Sequence, residues 1–335
     1  MSQRHRIAFA GLRHPHIFAL HSRAQAHPEC EVVAACEEDT VLREKLSTEH
    51  DIRLTHSNFM EMLEESNASI VAVGDIYARR GELAIAALRA GKHVILDKPI
   101  CTRLEELEEI RALAADRQLA VGCQLDFVEN GGIRCLKSVI EGGEIGRLCT
   151  LAISAQHPLR LESRAGWYFE PGQHGGTIND IGVHVFDLVP WLSGQPWKQI
   201  LLAREWNAKA ATFPHFKDCA QFNAITTDGL SCYADVSYLA PDTLGYELPQ
   251  YWRVTAHGTK GLAEMSYGIS GVQIATDRDA AVRKIFVSEN TSSCYLQDFL
   301  DEISGHPSQV GLTTMRVLSA SRWALEAQVI ASRKS

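Results

Sequence analysis

Five short apolar runs, separated by segments with helical patterning, fill the first 124 residues, and few folds accommodate such an alternation. The runs are Ile7-Ala8-Phe9-Ala10, Val32-Val33-Ala34-Ala35-Cys36, Ile70-Val71-Ala72-Val73, Val94-Ile95-Leu96 and Leu119-Ala120-Val121-Gly122-Cys123. Each lacks the apolar–polar alternation of a strand with one wet face, so each predicts a strand covered on both sides. The intervening stretches, at 12–27, 40–50, 57–66, 81–90 and 103–116, predict the helices that cover them. With right-handed crossovers the result is a doubly wound parallel sheet.

After about residue 124 the pattern changes. A helix is expected near 131–141, and period-2 segments follow at 148–154, 198–206, 220–226, 231–238, 252–257, 261–267 and 272–275. Helices close the chain at about 295–303 and 313–332. At 335 residues the chain exceeds the usual size of one hydrophobic core. The expected fold class is therefore α/β: an N-terminal doubly wound Rossmann domain at 1–124 and an α+β domain with an open, mostly antiparallel sheet at 125–310. A C-terminal helical segment, 311–335, packs back on the body. An exposed face on the second sheet would favour a homo-oligomer, a dimer or tetramer.

Charge and composition exclude several classes. The net charge is −8 with no Lys/Arg block, which argues against nucleic-acid and anionic-membrane partners. No apolar run approaches the roughly 20 residues of a membrane span, and Met1–Arg6 lead straight into the first strand, leaving no room for a signal peptide. Nine cysteines without a C-x-x-C predict free thiols in a reducing cytoplasm.

Two places carry candidate chemistry for binding a dinucleotide. After the first strand, where G-x-G-x-x-G lets backbone amides approach a diphosphate, the chain reads Gly11-Leu12-Arg13-His14-Pro15-His16. One glycine remains; Arg13 can add positive charge to the helix-start amides, and His14 and His16 line the same loop. The second strand ends in Glu37, placed to accept from ribose hydroxyls, and Glu38 and Asp39 beside it would repel a 2′-phosphate. NAD is expected over NADP.

The remaining candidates cluster around His174-Gly175-Gly176-Thr177-Ile178-Asn179-Asp180-Ile181-Gly182-Val183-His184. On a helix, Asp180 and His184 lie one turn apart and share a face. Far upstream, Lys98 stands before Pro99 at the end of the fourth run. A lysine, a carboxylate and an imidazole suffice to move a proton to or from a hydroxyl. Arg160, Arg164, Trp167, Tyr168 and His174 precede the helix and suit a hydroxylated or carboxylated substrate, although an interdomain or subunit contact explains them equally well. No compact ligand spacing predicts a metal site. His157, His174, Asp180 and His184, and separately His14 and His16, are a minority alternative.

The stretches Ala90-Gly91-Lys92-His93-Val94-Ile95-Leu96-Asp97-Lys98-Pro99 and Gly175-Gly176 through Asp180 and His184 resemble the AGKHV-x-x-EKP and GG…D-x-G-x-H motifs of the Gfo/Idh/MocA oxidoreductases. The resemblance spans nearly the whole chain. It implies a Rossmann domain binding NAD(P), followed by an open-faced α/β domain, and oxidation or reduction of a hydroxyl on a sugar, polyol or sugar-like acid. It maps the motif lysine onto Lys98 and the helix pair onto Asp180 and His184. Asp97 stands where the family has Glu. Asp75-Ile76-Tyr77-Ala78-Arg79-Arg80 replaces T-P-N-x-x-H, so Asp75, Arg80, Asp97 and Lys98 join the expected cofactor contacts, with Arg80 able to meet a phosphate, an anionic substrate or a surface carboxylate.

In the expected mechanism His184, an imidazole titrating near ~6.5 when unperturbed, takes the hydroxyl proton. Lys98 stabilises the developing alkoxide, and Asp180 orients the imidazole or a neighbouring hydroxyl. Two other functions stay open: a dinucleotide sensor without turnover, and a lyase, epimerase or glycosidase using tightly held NAD transiently.

Overall fold

A computed structural model describes residues 4–49, 52–244, 246, 248–269, 271–287, 295–308 and 311–333. Met1–Gln3, on which the expectation about a leader rests, lie outside them. The chain divides into two compact units, Met1–Gln124 with Tyr295–Ser321, and Leu125–Cys294 with Arg322–Ser335.

In the first unit the apolar runs form β1 (His5–Ala10), β2 (Cys30–Cys36), β3 (Ile70–Val73), β4 (His93–Leu96) and β5 (Val121–Cys123). Between them lie α1 (His16–Ala26), α2 (Thr40–Glu49), α3 (Phe59–Glu65), α4 (Tyr77–Arg89) and α5 (Leu104–Arg117). All neighbouring strands are parallel, in the order β2-β1-β3-β4-β5. An isolated parallel bridge, Cys36 to His56, adds the start of a further strand outside β2, the position of the third strand in a dinucleotide-binding sheet. Every residue of β3 is buried, as continuous apolar character requires.

The turn out of β1 needs glycine at one point. Gly11 has φ +68, and a Cβ there would lie 2.5 Å from the Cβ of Asp75. Loss of the β1–β3 approach, not of a ligand contact, is the first consequence of adding a side chain.

The second unit contains α6 (Gly131–Glu141), β6 (Leu148–Pro158), α7 (Val183–Ser193), β7 (Trp197–Trp206), β8 (Cys219–Thr226), β9 (Ser231–Ala240), β10 (Trp252–Gly258), β11 (Gly261–Ser266), β12 (Val272–Thr276) and β13 (Arg283–Ile285). The sheet runs β13-β12-β11-β10-β6-β9-β8-β7 and is antiparallel except for the β6–β9 pair. One face packs on α6 and α7. The other carries exposed apolar side chains, among them Leu202, Tyr233 and Leu262.

The C-terminal boundary differs from the sequence expectation. α8 (Tyr295–Ile303) belongs with the first unit, not with a domain running to residue 310. Its stripe Leu296, Phe299 and Leu300 is buried, the Phe299 ring lies against Gly122 of β5, and Tyr295 receives a hydrogen bond from Gln124 at 2.8 Å. The last helix, α9 (Thr314–Ser332), begins in the first unit and ends in the second. No helix among the described residues is long and apolar enough to cross a membrane. The eight described cysteines are free thiols.

Gly11→Ala should lower stability by at least about 1 kcal/mol, since left-handed backbone strain alone costs that much for a residue with a side chain. Urea denaturation followed by circular dichroism checks this; an unchanged midpoint contradicts the close β1–β3 approach.

Candidate active site

The loop between β1 and α1 is organised by side chains and by β3. The Leu12 amide donates to Glu37 Oε2 at 2.8 Å, and the Arg13 and His14 amides both donate to the Gly74 carbonyl, at 3.2 and 3.1 Å. Pro15 has no amide to offer. The Leu12, Arg13 and His14 amides, expected to be available to a diphosphate, are therefore engaged within the loop, a correction to the sequence reading. The physical cause is the second and third glycine positions: Arg13 and His16 stand there, and the backbone closes on β3 instead.

Glu37 is buried at the end of β2. Its Oε1 accepts from Arg13 Nε at 2.7 Å and from the Asp39 amide at 2.9 Å, while Oε2 accepts only the Leu12 amide among the bonds described. A carboxylate oxygen has more than one acceptor position, so Oε2 is able to accept a further donor. Arg13 is thus tied to Glu37, with Asp39 at 3.7 Å. Arg79 bridges Glu38 at 2.8 Å and Asp75 at 3.2 Å. Burial pushes the Asp75 carboxyl above its usual range, against the pull of Arg79.

Arg80 is the largest departure. It is 0% exposed, so it reaches no surface carboxylate. Its Nε donates to the Asp75 carbonyl at 2.8 Å, Nη1 to the carbonyls of Lys98 at 2.6 Å and Pro99 at 3.2 Å, and Nη2 to Asp97 Oδ2 at 3.0 Å. The guanidinium also stacks on Tyr77, 4.4 Å from the ring centroid. Three donor nitrogens are taken by the protein, which removes Arg80 from the cofactor contacts and makes it the anchor for the backbone at Lys98. Lys98 itself is buried, and its peptide bond to Pro99 is cis.

Asp97, also 0% exposed, collects Arg80, His14 and His16. His14 Nδ1 makes a short contact with Oδ2, and His16 Nδ1 lies 3.2 Å from Oδ1. His14 Nε2 faces the Tyr77 hydroxyl at 3.2 Å. Although burial opposes ionisation, Arg80 and then the imidazoles hold the Asp97 carboxyl well below its usual range. Burial lowers His14 to about 4, outweighing Asp97. The imidazole is therefore neutral in neutral solution. Sequence spacing hid this grouping because 83 and 81 residues separate Asp97 from its two imidazole partners.

In the second unit Asp180 does not open a regular α-helix. It lies in a π turn, Ile178–Gly182, that precedes α7, a distortion common where helices serve function. Gly176 before it, with φ +94, allows Gln328 to approach, and Gln328 Oε1 accepts the Ile178 amide at 3.0 Å. Asp180 is buried; its Oδ2 accepts from the Tyr238 hydroxyl in a short hydrogen bond and lies 3.3 Å from His174 Nε2. His174 Nε2 is 3.1 Å from the same hydroxyl. Burial, and then the Asp180 charge, push the Tyr238 phenol well above its usual range, so it stays a donor.

His184 follows on the first turn of α7, buried with its ring 5.6 Å from Trp252 and 6.4 Å from Phe127. His157 links the two halves of this wall, 6.2 Å from Trp252 and 6.1 Å from Tyr238. Tyr168 lies 5.2 Å from His174 and 4.1 Å from Trp167. Arg164 lies over Tyr168 at 4.6 Å, with its nitrogens on the carbonyls of Leu159 and Pro158. Arg160 is exposed and packs on Tyr246. Sequence reasoning missed Tyr238, Trp252 and Tyr251. Tyr238 arrives on β9, Tyr251 in the short turn Pro249–Tyr251 and Trp252 at the start of β10, and the sequence signal was the aromatic cluster Tyr246, Tyr251 and Trp252.

Comparison with known proteins fits both units. Residues 6–125 match the sequence profile described as an oxidoreductase family with an NAD-binding Rossmann fold. Residues 133–264 match the GFO/IDH/MocA C-terminal domain. The chain belongs to the Gfo/Idh/MocA family. An uncharacterized oxidoreductase of Synechocystis is 26% identical over 254 residues, 74% of this chain and 65% of that protein. The 1,5-anhydro-D-fructose reductase of Ensifer adhaerens is 30% identical over 143 residues, 42% of each chain. The chain thus matches less than two thirds of these relatives' length. A solved levoglucosan dehydrogenase in complex with NADH shares the fold, with TM-score 0.81 and 17% identity over 99% of this chain and 98% of that one.

Replacing Arg80 with Ala leaves the Asp97 carboxylate buried beside its imidazoles without its permanent cation, which should cost about 3–5 kcal/mol. Arg80→Lys should recover little of it, because one ammonium cannot reproduce the forked contacts. Chemical denaturation of both variants measures this; wild-type stability in Arg80→Ala would show the pair to be dispensable.

Proposed function

We propose that this Gfo/Idh/MocA protein is an NAD-dependent dehydrogenase or reductase acting on a hydroxyl carbon of a sugar, polyol or sugar-like acid. The observation that carries the reading is the buried Asp180–Tyr238–His174 hydrogen-bonded group, set in the turn before His184 and walled by Tyr168 and Trp252. The likeness to an anhydrofructose reductase supports a sugar-like substrate.

The adenosine ribose fits Glu37, and NAD is favoured over NADP because the three carboxylates Glu37, Glu38 and Asp39 outnumber the two guanidiniums, Arg13 and Arg79, paired with them. A bound nicotinamide supplies the hydride acceptor or donor. His184 holds or takes the substrate hydroxyl proton. Lys98 donates to a substrate oxygen and stabilises its negative charge, helped by a backbone that Arg80 fixes. Asp180, oriented by Tyr238 and His174, accepts from a neighbouring hydroxyl. Arg164 and Tyr168 shape the substrate side, and the exposed Leu202, Tyr233 and Leu262 face suits a second copy of the chain in a homo-oligomer. The setting proposed for this chemistry is the cytoplasm.

Purified protein incubated with NAD and a panel of sugars, inositols and sugar acids should produce reduced cofactor, read by its absorbance, with NAD preferred to NADP. Lys98→Ala and His184→Ala should each lower kcat about 10²–10⁴-fold while NAD still binds. Undiminished turnover in either variant removes that residue's assigned role. The engaged loop amides favour a second reading, a dinucleotide sensor; NAD binding without turnover on any substrate would select it.

A further inference from the structure

We propose that His14, His16 and Asp97 form a site for a divalent cation of the zinc class. Each offers one ligand atom, and these atoms lie within 4.8 Å of one another. Two imidazoles and one carboxylate are a ligand set that zinc and related metals accept while keeping a position open. A zinc ion about 2.0–2.2 Å from each donor places neighbouring tetrahedral donors about 3.3 Å apart. His16 Nδ1 and Asp97 Oδ1 are already at that spacing, 3.2 Å, and His14 Nδ1 would exchange its short hydrogen bond to Asp97 Oδ2 for the ion.

The surroundings are those of a supported ligand set. Arg80 fixes Asp97 through Oδ2 at 3.0 Å, and the Tyr77 hydroxyl meets His14 Nε2 at 3.2 Å, so carboxylate and ring are each oriented by a partner behind them. His14 and Asp97 are buried, whereas the His16 side chain is 51% exposed and gives an ion its way in. The two rings meet edge to face, with centroids 4.4 Å apart.

Charge decides what completes the site. Arg80 already balances Asp97, so a dication brings net positive charge and calls for an anion at its open position. Resting on the dinucleotide reading above, that anion is the cofactor diphosphate. The amides of Leu12, Arg13 and His14 are engaged with Glu37 and Gly74, and a metal held by the two histidines would supply the attraction those amides no longer offer.

The test is calorimetric titration of the chelator-treated, full-length protein with Zn²⁺, repeated with Co²⁺ while recording visible absorption. One ion per chain is expected. His16→Ala, which alters a half-exposed side chain at the start of α1, should weaken binding at least tenfold with an unchanged circular-dichroism spectrum, and His16→Cys, which keeps a zinc donor, should restore it. No zinc binding by the wild type, or equal affinity in His16→Ala, overturns the site. NAD added to the zinc-loaded protein should bind more tightly than to the metal-free protein. Equal NAD affinity in the two forms overturns the bridging role. Zinc binding with no NAD binding at all would leave the metal site standing and defeat the dinucleotide reading instead.

Discussion

The ion pair between Arg80 and Asp97 ties together the ends of β3 and β4 in the first unit. Both groups are withdrawn from water, and a charge so placed is tolerated only when paired and hydrogen-bonded. Arg80 meets this by binding three backbone carbonyls as well as the carboxylate. Those carbonyls belong to the ends of β3 and β4, where open parallel sheets receive ligands. The pair therefore sets the backbone on which Lys98 is carried and the carboxylate to which His14 and His16 are drawn.

The second unit buries a carboxylate as well, Asp180, beside a phenol and an imidazole. Asp180 accepts from the Tyr238 phenol, whose proton is held firmly, and lies beside the His174 imidazole. The π turn places Asp180 toward Tyr238 on β9, while His184, in the first α turn, meets Trp252 on β10. His157 joins this polar end to the aromatic end.

The parallel sheet was legible because burial on both faces leaves a continuous apolar signature, as in Ile70–Val73. The second sheet was legible from its alternation, although the parallel β6–β9 pairing was not, since period 2 is silent on strand direction. α8 was placed with the wrong unit: its stripe of Leu296, Phe299 and Leu300 shows that it packs, not what it packs against. Arg80 was misread for a related reason. An arginine in sequence carries no mark of burial, and its partners Lys98 and Asp97 become neighbours only through the crossover after α4. Tyr238 was missed because its one polar atom matters only once β9 lies beside the π turn.

The catalytic roles proposed for Lys98 and His184 are tested most directly by a double-mutant cycle on kcat/KM. Groups that work together lose their joint contribution when either is removed. With the substrate that turns over best, the Lys98→Ala/His184→Ala protein should be no more than a fewfold slower than the slower single variant. Penalties that multiply across the two substitutions would show that the residues contribute independently and contradict the account.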